Sequence, residues 1–482
     1  GRGRVRTEVL VVGSGAGGAT TAAVLAAAGV DVLIVEEGPE VAPGSLTPFS
    51  IDQMRQQYRN MGELIALGLP SVTFAEGRCV GGSTEVNSGL YHRPHDMTLE
   101  RWARGWDVKD LAAGSLLEFS EPIERNLTVS TFPSGPPPAS RLLQEGAARL
   151  QWHAQEIPRW FRFDSPITGV RQSMSLTYLR QARRHGATLW SDTWVERFIV
   201  EKGRAIAALV LRGDGTRDRI DFDSVFVCGG AVQSAALLQR SGIRRHVGKT
   251  LTMHPTVKAV AHTAAPINDP TDVPVVQVRE FYPHMSIGGS ATNLPLLGMA
   301  LMRTRRRLDD LAGLLPHMPI YYAAIRTQGL GRVTALPRMR DPLVTYRITG
   351  QDIARLRSAM GRLLEVLLAA DTIEVIPSAL HADPITSAAQ IPEQVAKVTR
   401  RTADLMTVHV CSSVPMGEDR SKCAVDSYGR SHEVAGVLVN DASILNDAPG
   451  INPQGTVMAL ATRNAERFLL DHGQTPAARE FS

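Results

Sequence analysis

His409, in HVCSSVPMG (409–417), and Asn452, in GINPQGTVMA (450–459), are residues whose types could do proton chemistry as a pair. A histidine is neutral near pH 7 and can take a proton. A primary amide can donate its hydrogens to an oxygen acceptor. Taken alone, the same residues also read as a structural histidine and a turn-former ahead of Pro453, and their separation of 43 positions is silent. Cys411, two residues after His409, reads as a small buried neighbour, and His92, His254, His284 and His432 read as structural or surface residues.

The sharpest local signal in the chain is the N-terminal segment EVLVVGSGAGGATTAAVLAAAGVDVLIVEEG (8–38). A β-branched run, Val9 to Val12, enters Gly13-Ser14-Gly15-Ala16-Gly17-Gly18. An alanine-rich helix, a stop at Gly29 and a second strand, Val32 to Val35, follow. Gly13 allows a sharp turn, Gly15 lets the backbone approach a pyrophosphate, and Gly18 lets the helix press on the sheet with its N-terminal amides facing phosphates. Glu36, 23 residues after Gly13, stands where a ribose hydroxyl pair needs an acceptor. An acid there disfavours a 2′-phosphate, so FAD or NAD satisfies the pattern and NADP does not. EGRCVGGSTEVNSGLYHRP (76–94) offers a second small, polar loop, with Gly81, Gly82, Ser83, Thr84 and Asn87, able to lie against a flat ring or a pyrophosphate edge.

The remaining elements predict an α/β chain of two interleaved units. A proline-rich break, FPSGPPPAS (132–140), reads as a linker. Strands are expected over 188–200 and 204–212, and IDFDSVFVCGGAVQSAALLQRSGI (220–243) reads as a strand, glycine turn and helix returning to the first sheet. From about 252 to 400, TVKAVAHTA, PVVQVREFY, YYAAIRTQG, GRVTALP and LVTYRITG read as strands of a mostly antiparallel sheet, with a helix over 351–370. The expected division is a Rossmann-like cofactor domain from 1–125, 186–250 and 405–482, and a substrate-binding domain from 126–185 and 251–404. Met299, Met302 and Met360 are either pocket walls or core fillers.

Composition removes several function classes. A net charge of +4 over 482 residues is too small to imply a phosphate-rich partner, and the basic runs at 180–186 and 302–307 lack the interleaved aromatics that stack bases. No nucleic-acid partner is expected. Four cysteines, at 79, 228, 411 and 423, have neither disulfide-framework density nor zinc-site pairing, so they are read as free thiols in a reducing compartment and no metal is expected. No stretch reaches the length of a membrane span and no apolar leader precedes the first strand, which sets the expectation of a cytoplasmic protein.

Together with 8–38 and 76–94, the segment 409–470 resembles the glucose-methanol-choline (GMC) family of FAD-dependent alcohol oxidoreductases. That family's C-terminal signature runs His, two residues, Gly-Thr, two residues, Met-Gly, then an Asp-Ala-Ser turn and an Asn-Pro segment leading into a final helix. Here His409, Met416-Gly417, Asp441-Ala442-Ser443 and Asn452-Pro453 match it, and Ser412-Ser413 stands in place of Gly-Thr. The resemblance implies oxidation of an alcohol, possessing for example a sugar-like hydroxymethyl group, to the carbonyl, with His409 as general base, Asn452 as its partner and hydride passing to flavin N5. It implies FAD contacts from Gly13, Ser14, Gly15, Ala16, Gly18, Glu36, Gly81, Gly82, Ser83 and Asn87. It also places the Val195 backbone at the adenine, Asp441 and Ala442 along the pyrophosphate and ribityl chain, and Asn452, Pro453 and Thr456 at the isoalloxazine. Val86 occupies the position from which some members link a histidine covalently to the flavin, so non-covalent FAD is expected. The electron acceptor is left as O₂ or a quinone or carrier. A hydroxynitrile lyase that keeps FAD without turning it over, and an inactive flavin-binding protein, remain as alternatives.

Overall fold

A computed structural model describes residues 4–165, 169–305 and 309–481. Strand β1 (Arg4–Val12), helix α1 (Ala16–Ala27) and strand β2 (Val32–Val35) open a seven-stranded sheet. β1 lies parallel between β2 and the strand Arg217–Val227, in register Val12↔Val35 on one side and Val12↔Val227 on the other. A strand with neighbours on both edges and helices on both faces needs apolar side chains throughout, which is why Val9 to Val12 do not alternate with polar residues. The shared register ends all three strands at one edge, bringing Gly13, Glu36 and Cys228 together where ligands of open parallel sheets bind.

The expected return of 220–243 to this sheet is realised by the strand Arg217–Val227 and the helix Gly230–Arg240. Strand Thr188–Trp190 extends the parallel part beside β2, and Val437–Val439 pairs with Val225–Val227. Strands Thr193–Glu201 and Arg204–Arg212 continue the sheet in antiparallel fashion. The proline-rich break feeds directly into a helix, Pro138–Arg149, with Pro138 at its first turn, where the missing N–H costs nothing.

A second, nine-stranded sheet is mostly antiparallel and is built around Thr256–His262. Its alternation sorts the side chains. Val257, Ala259 and Ala261 share a core with the buried stripe Leu356, Met360, Leu363 and Leu367 of the helix Gly350–Ala369, whereas Val260 packs with Leu297 and Leu301 of the helix Leu294–Leu301. Thr256 and Lys258 lie on the same face as Val260. Strands Leu64–Ala66, Val72–Phe74 and Leu405–Thr407 also join this sheet, although the expected boundaries assign those stretches to the cofactor domain. The chain crosses between the sheets more often than hydrophobic patterning suggests, because a three-residue strand carries no periodic signal. The expected strands near 331 and 343 pair with each other, Val333↔Val344, in a separate ribbon.

The basic run 180–186 lies mainly on the helix Tyr178–Arg184, with Arg183 paired to Glu40; the run 302–307 lies partly outside the described residues, at 306 and 307. No helix among the described residues is long and apolar enough to cross a membrane.

Candidate active site

The glycine turn after β1 is built by close backbone contacts. Gly13 has φ +100°, and a Cβ there would meet the Cys228 carbonyl oxygen at 2.3 Å; a Cβ on Gly18 would meet the Gly13 oxygen at 2.0 Å. Gly15, the N-cap of α1, faces open space, its hypothetical Cβ approaching nothing nearer than the Gly82 Cα at 3.9 Å. The second loop folds against the first. The Gly81 amide donates to Ser14 Oγ at 3.0 Å, and a Cβ on Gly82 would sit 2.8 Å from the Gly15 Cα. Glu36 closes this end: Oε2 accepts from the Ser14 amide at 3.0 Å and from Ser14 Oγ at 2.7 Å, and Oε1 accepts from the Gly38 amide at 2.9 Å. Burial raises the Glu36 pKa against those donors, which pull it down.

His409 follows the strand Leu405–Thr407, and the Thr407 hydroxyl braces it by accepting from the His409 amide at 3.1 Å. Asn452 lies on the turn before the helix Gln454–Asp471, after Gly450 at φ +81°. The two side chains meet: Asn452 Nδ2 and His409 Nε2 are 3.1 Å apart. Gln277, from the strand Val276–Val278 next to one edge of the nine-stranded sheet, donates to Asn452 Oδ1 at 3.4 Å, which leaves the Asn452 Nδ2 hydrogens to point at His409. His254 Nδ1 is 3.1 Å from His409 Nδ1, with the rings edge to face. The Gly450 amide donates to His254 Nε2 at 2.9 Å, and the Ala448 carbonyl also bonds the ring. Burial pushes His409 down to about 4 and His254 well below the usual histidine range, so both rings are neutral at pH 7.

One cavity of about 1260 Å³ joins the two ends, lined by Ser14, Gly15, Glu36, Gly82, Asn87 and Val195 at one end and by His409 and Asn452 at the other. Ala16, Ser83, Ala442 and Pro453 also line it. Gly18 and Gly81 shape the loops from behind, and Thr456 is buried with its hydroxyl unpaired among the described residues. Asp441 lines the cavity, but its carboxylate is committed to the Gly230 amide at 2.8 Å, to the Ser443 amide at 2.8 Å and to the Ser234 hydroxyl. Asn87 bonds Gln454 Oε1 at 2.7 Å and the Gly89 amide at 3.0 Å, tying the second loop to the last helix.

Sequence reasoning passed over two residues of this group. His254, read as structural or surface, is buried against His409, and Gln277 was not singled out. Neither carries a local signal, since only the pairing of distant strands brings them to His409. Met299 and Met302 line the cavity, while Met360 is fully buried core. Cys411 is buried 3.4 Å from the Thr252 hydroxyl, its thiol pushed up to about 11 by burial, and all four cysteines are buried and unpaired. Ser412, in place of the family's glycine, has φ +71°.

A dinucleotide turn joined by one cavity to a neutral histidine and an amide defines a nucleotide-dependent oxidoreductase. The chain belongs to the GMC oxidoreductase family, whose two profiles match residues 7–256 and 328–461. It is 35% identical over 481 residues, 97% of this chain and 95% of the relative, to an uncharacterized GMC-type oxidoreductase of Sinorhizobium fredii. It is 24% identical to a long-chain-alcohol oxidase of Arabidopsis thaliana, covering 95% of this chain and 67% of the relative. The pyridoxine 4-oxidase crystal structure from Mesorbium loti shares the fold, with a TM-score of 0.77 at 18% identity over 96% of this chain and 99% of that one. The protein is therefore an FAD-dependent oxidoreductase of the class that oxidises alcohols. The residues present suit FAD: Gly15 and Gly82 leave a cradle that side chains would fill, Glu36 stands at the strand end without a 2′-phosphate partner, and the cavity exceeds the ~1,000 Å³ upper range of ordinary ligand pockets.

Proposed function

We propose that this enzyme oxidises a hydroxyl group on a largely apolar chain to the carbonyl, with His409 as the general base and Asn452 as the donor that steadies the oxygen. The observation that carries this reading is the 3.1 Å contact between Asn452 Nδ2 and His409 Nε2 at the end of a cavity that begins at the dinucleotide turn. A substrate hydroxyl entering between them gives its proton to His409 Nε2, and the Asn452 amide hydrogens turn to the alkoxide that develops. His254, with Nδ1 3.1 Å from His409 Nδ1, orients the ring that takes the proton. FAD, when bound, supplies the acceptor for the hydride and passes electrons on, and the oxidase relatives support O₂ as the final acceptor.

Apolar side chains around the pair, among them Val408, Ile451, Ile325, Leu296 and Met406, support an apolar substrate body over the sugar-like donor expected from sequence. The long-chain alcohols named for the Arabidopsis relative agree with this wall. Anaerobic addition of decanol is expected to bleach the flavin absorbance, with colour returning on admission of air. His409→Ala should keep FAD bound while bleaching slows by roughly 10²–10⁴-fold. An intact rate in that variant removes His409 from the base role, and a flavin that no alcohol bleaches moves the assignment to lyase chemistry.

Val86, buried beside the cavity, has no nucleophilic atom to offer and supports non-covalent FAD. Acid precipitation should release all the yellow colour to the supernatant; colour held in the pellet would show a covalent link elsewhere.

A further inference from the structure

The face of the nine-stranded sheet that looks into the cavity carries an amine that the proposed chemistry does not use. Lys258 lies two residues beyond Thr256 on the strand Thr256–His262 and lines the cavity with its side chain largely buried. Its Nζ is 2.8 Å from Met406 Sδ, a weak acceptor, and among the described residues no carboxylate forms an ion pair with it. Asp404 acts on it electrostatically from further off and lies 3.9 Å from Arg303, which also lines the cavity. Lys258, Arg303 and Asp404 together carry two positive charges against one negative. Burying an unpaired ammonium is costly, and that cost falls when an anion enters beside it.

The position relative to His409 gives the geometry. Met406 precedes His409 by three residues, about 10 Å of extended chain, and Thr256 is paired with Met406. Met406, Val408, Leu296 and Met299 give the same cavity an apolar wall, with Thr256 and Thr407 as polar members near the histidine. Resting on the reading of His409 and Asn452 as the alcohol-oxidising pair, we infer that Lys258 and Arg303 form an anion subsite, and that the substrate is an amphipathic hydroxy acid with its hydroxyl at His409, an apolar middle and a carboxylate at Lys258.

The test compares ω-hydroxydecanoate, decanol and non-oxidisable decanoate on the FAD-loaded enzyme, in wild type, Lys258→Met and Lys258→Arg. Flavin reduction kcat/KM in wild type should favour ω-hydroxydecanoate over decanol, and Lys258→Met should collapse that ratio by roughly 10- to 100-fold, the worth of one charge-assisted bond, mainly through KM. Lys258→Arg should keep most of the preference. Decanoate should raise the unfolding temperature of wild type and of Lys258→Arg but not of Lys258→Met. Bleaching by decanol with no preference for the hydroxy acid, or a preference that survives in Lys258→Met, overturns the subsite and leaves the alcohol-oxidising reading standing. Decanoate binding that depends on Lys258, with no bleaching by either alcohol, supports the subsite and sinks that reading instead.

Discussion

His409 is held by side chains that approach it from opposite directions. Gln277 fixes the Asn452 amide against His409 Nε2, while His254 Nδ1 meets His409 Nδ1. Removing His254 leaves His409 Nδ1 without its partner and frees the ring to turn. His254→Phe is expected to slow flavin reduction by roughly tenfold or more with FAD still bound, and His254→Asn, whose amide can hydrogen-bond His409 Nδ1, should recover part of the loss. Equal rates in wild type and His254→Phe would show that the 3.1 Å contact is packing alone.

At the scale of the element, the turn after His409 carries its own strain. Ser412 is fully buried at φ +71°, a region in which a Cβ crowds the backbone by about 1–2 kcal/mol, yet its hydroxyl accepts from Thr252 Oγ1 at 2.8 Å. The two effects oppose each other and separate by substitution. Ser412→Ala loses the hydrogen bond and keeps the strain, whereas Ser412→Gly loses both, so the glycine variant should be the more stable of the two by about 1 kcal/mol in denaturant unfolding. An alanine variant as stable as the glycine variant would mean that the surrounding turn does not enforce this φ.

For the whole molecule, three histidines, one buried and two half-buried, set a response to acid. His409 is held at about 4, His92 at about 3 and His254 well below the ordinary value, in each case chiefly by burial. An unfolded chain would protonate all three near pH 6.5. Between that value and the folded pKa the unfolded state binds more protons, so stability rises with pH there and is lost as pH falls from 6.5 toward 4. His409 and His92 each remove about 2 kcal/mol by pH 5, and His254 acts in the same direction. The buried carboxylates of Glu36, Glu76, Glu85 and Asp441, whose pKa values burial raises, act in the opposite direction, so the histidine share is read by difference. His92→Gln should shrink the loss of unfolding free energy between pH 7 and pH 5 by about 2 kcal/mol, and an unchanged loss would show that His92 is protonated in the fold.

Local chemistry made part of this protein legible without coordinates. Gly13, Gly15, Gly18 and Glu36 act within one strand, turn, helix and strand, so their spacing alone identifies a dinucleotide turn, and the apolar run Val9 to Val12 announces a strand covered on both faces. Residue types and a family resemblance brought His409 and Asn452 forward as a pair. The arrival of His254 and Gln277 beside them depended on strands more than 100 residues away in sequence. The same holds for Lys258, an ordinary lysine in an apolar-patterned strand until the sheet turns it toward the cavity. Sequence periodicity reports which face of an element is buried; it carries no information on what the opposite face meets, and in this chain the site is made where those faces meet.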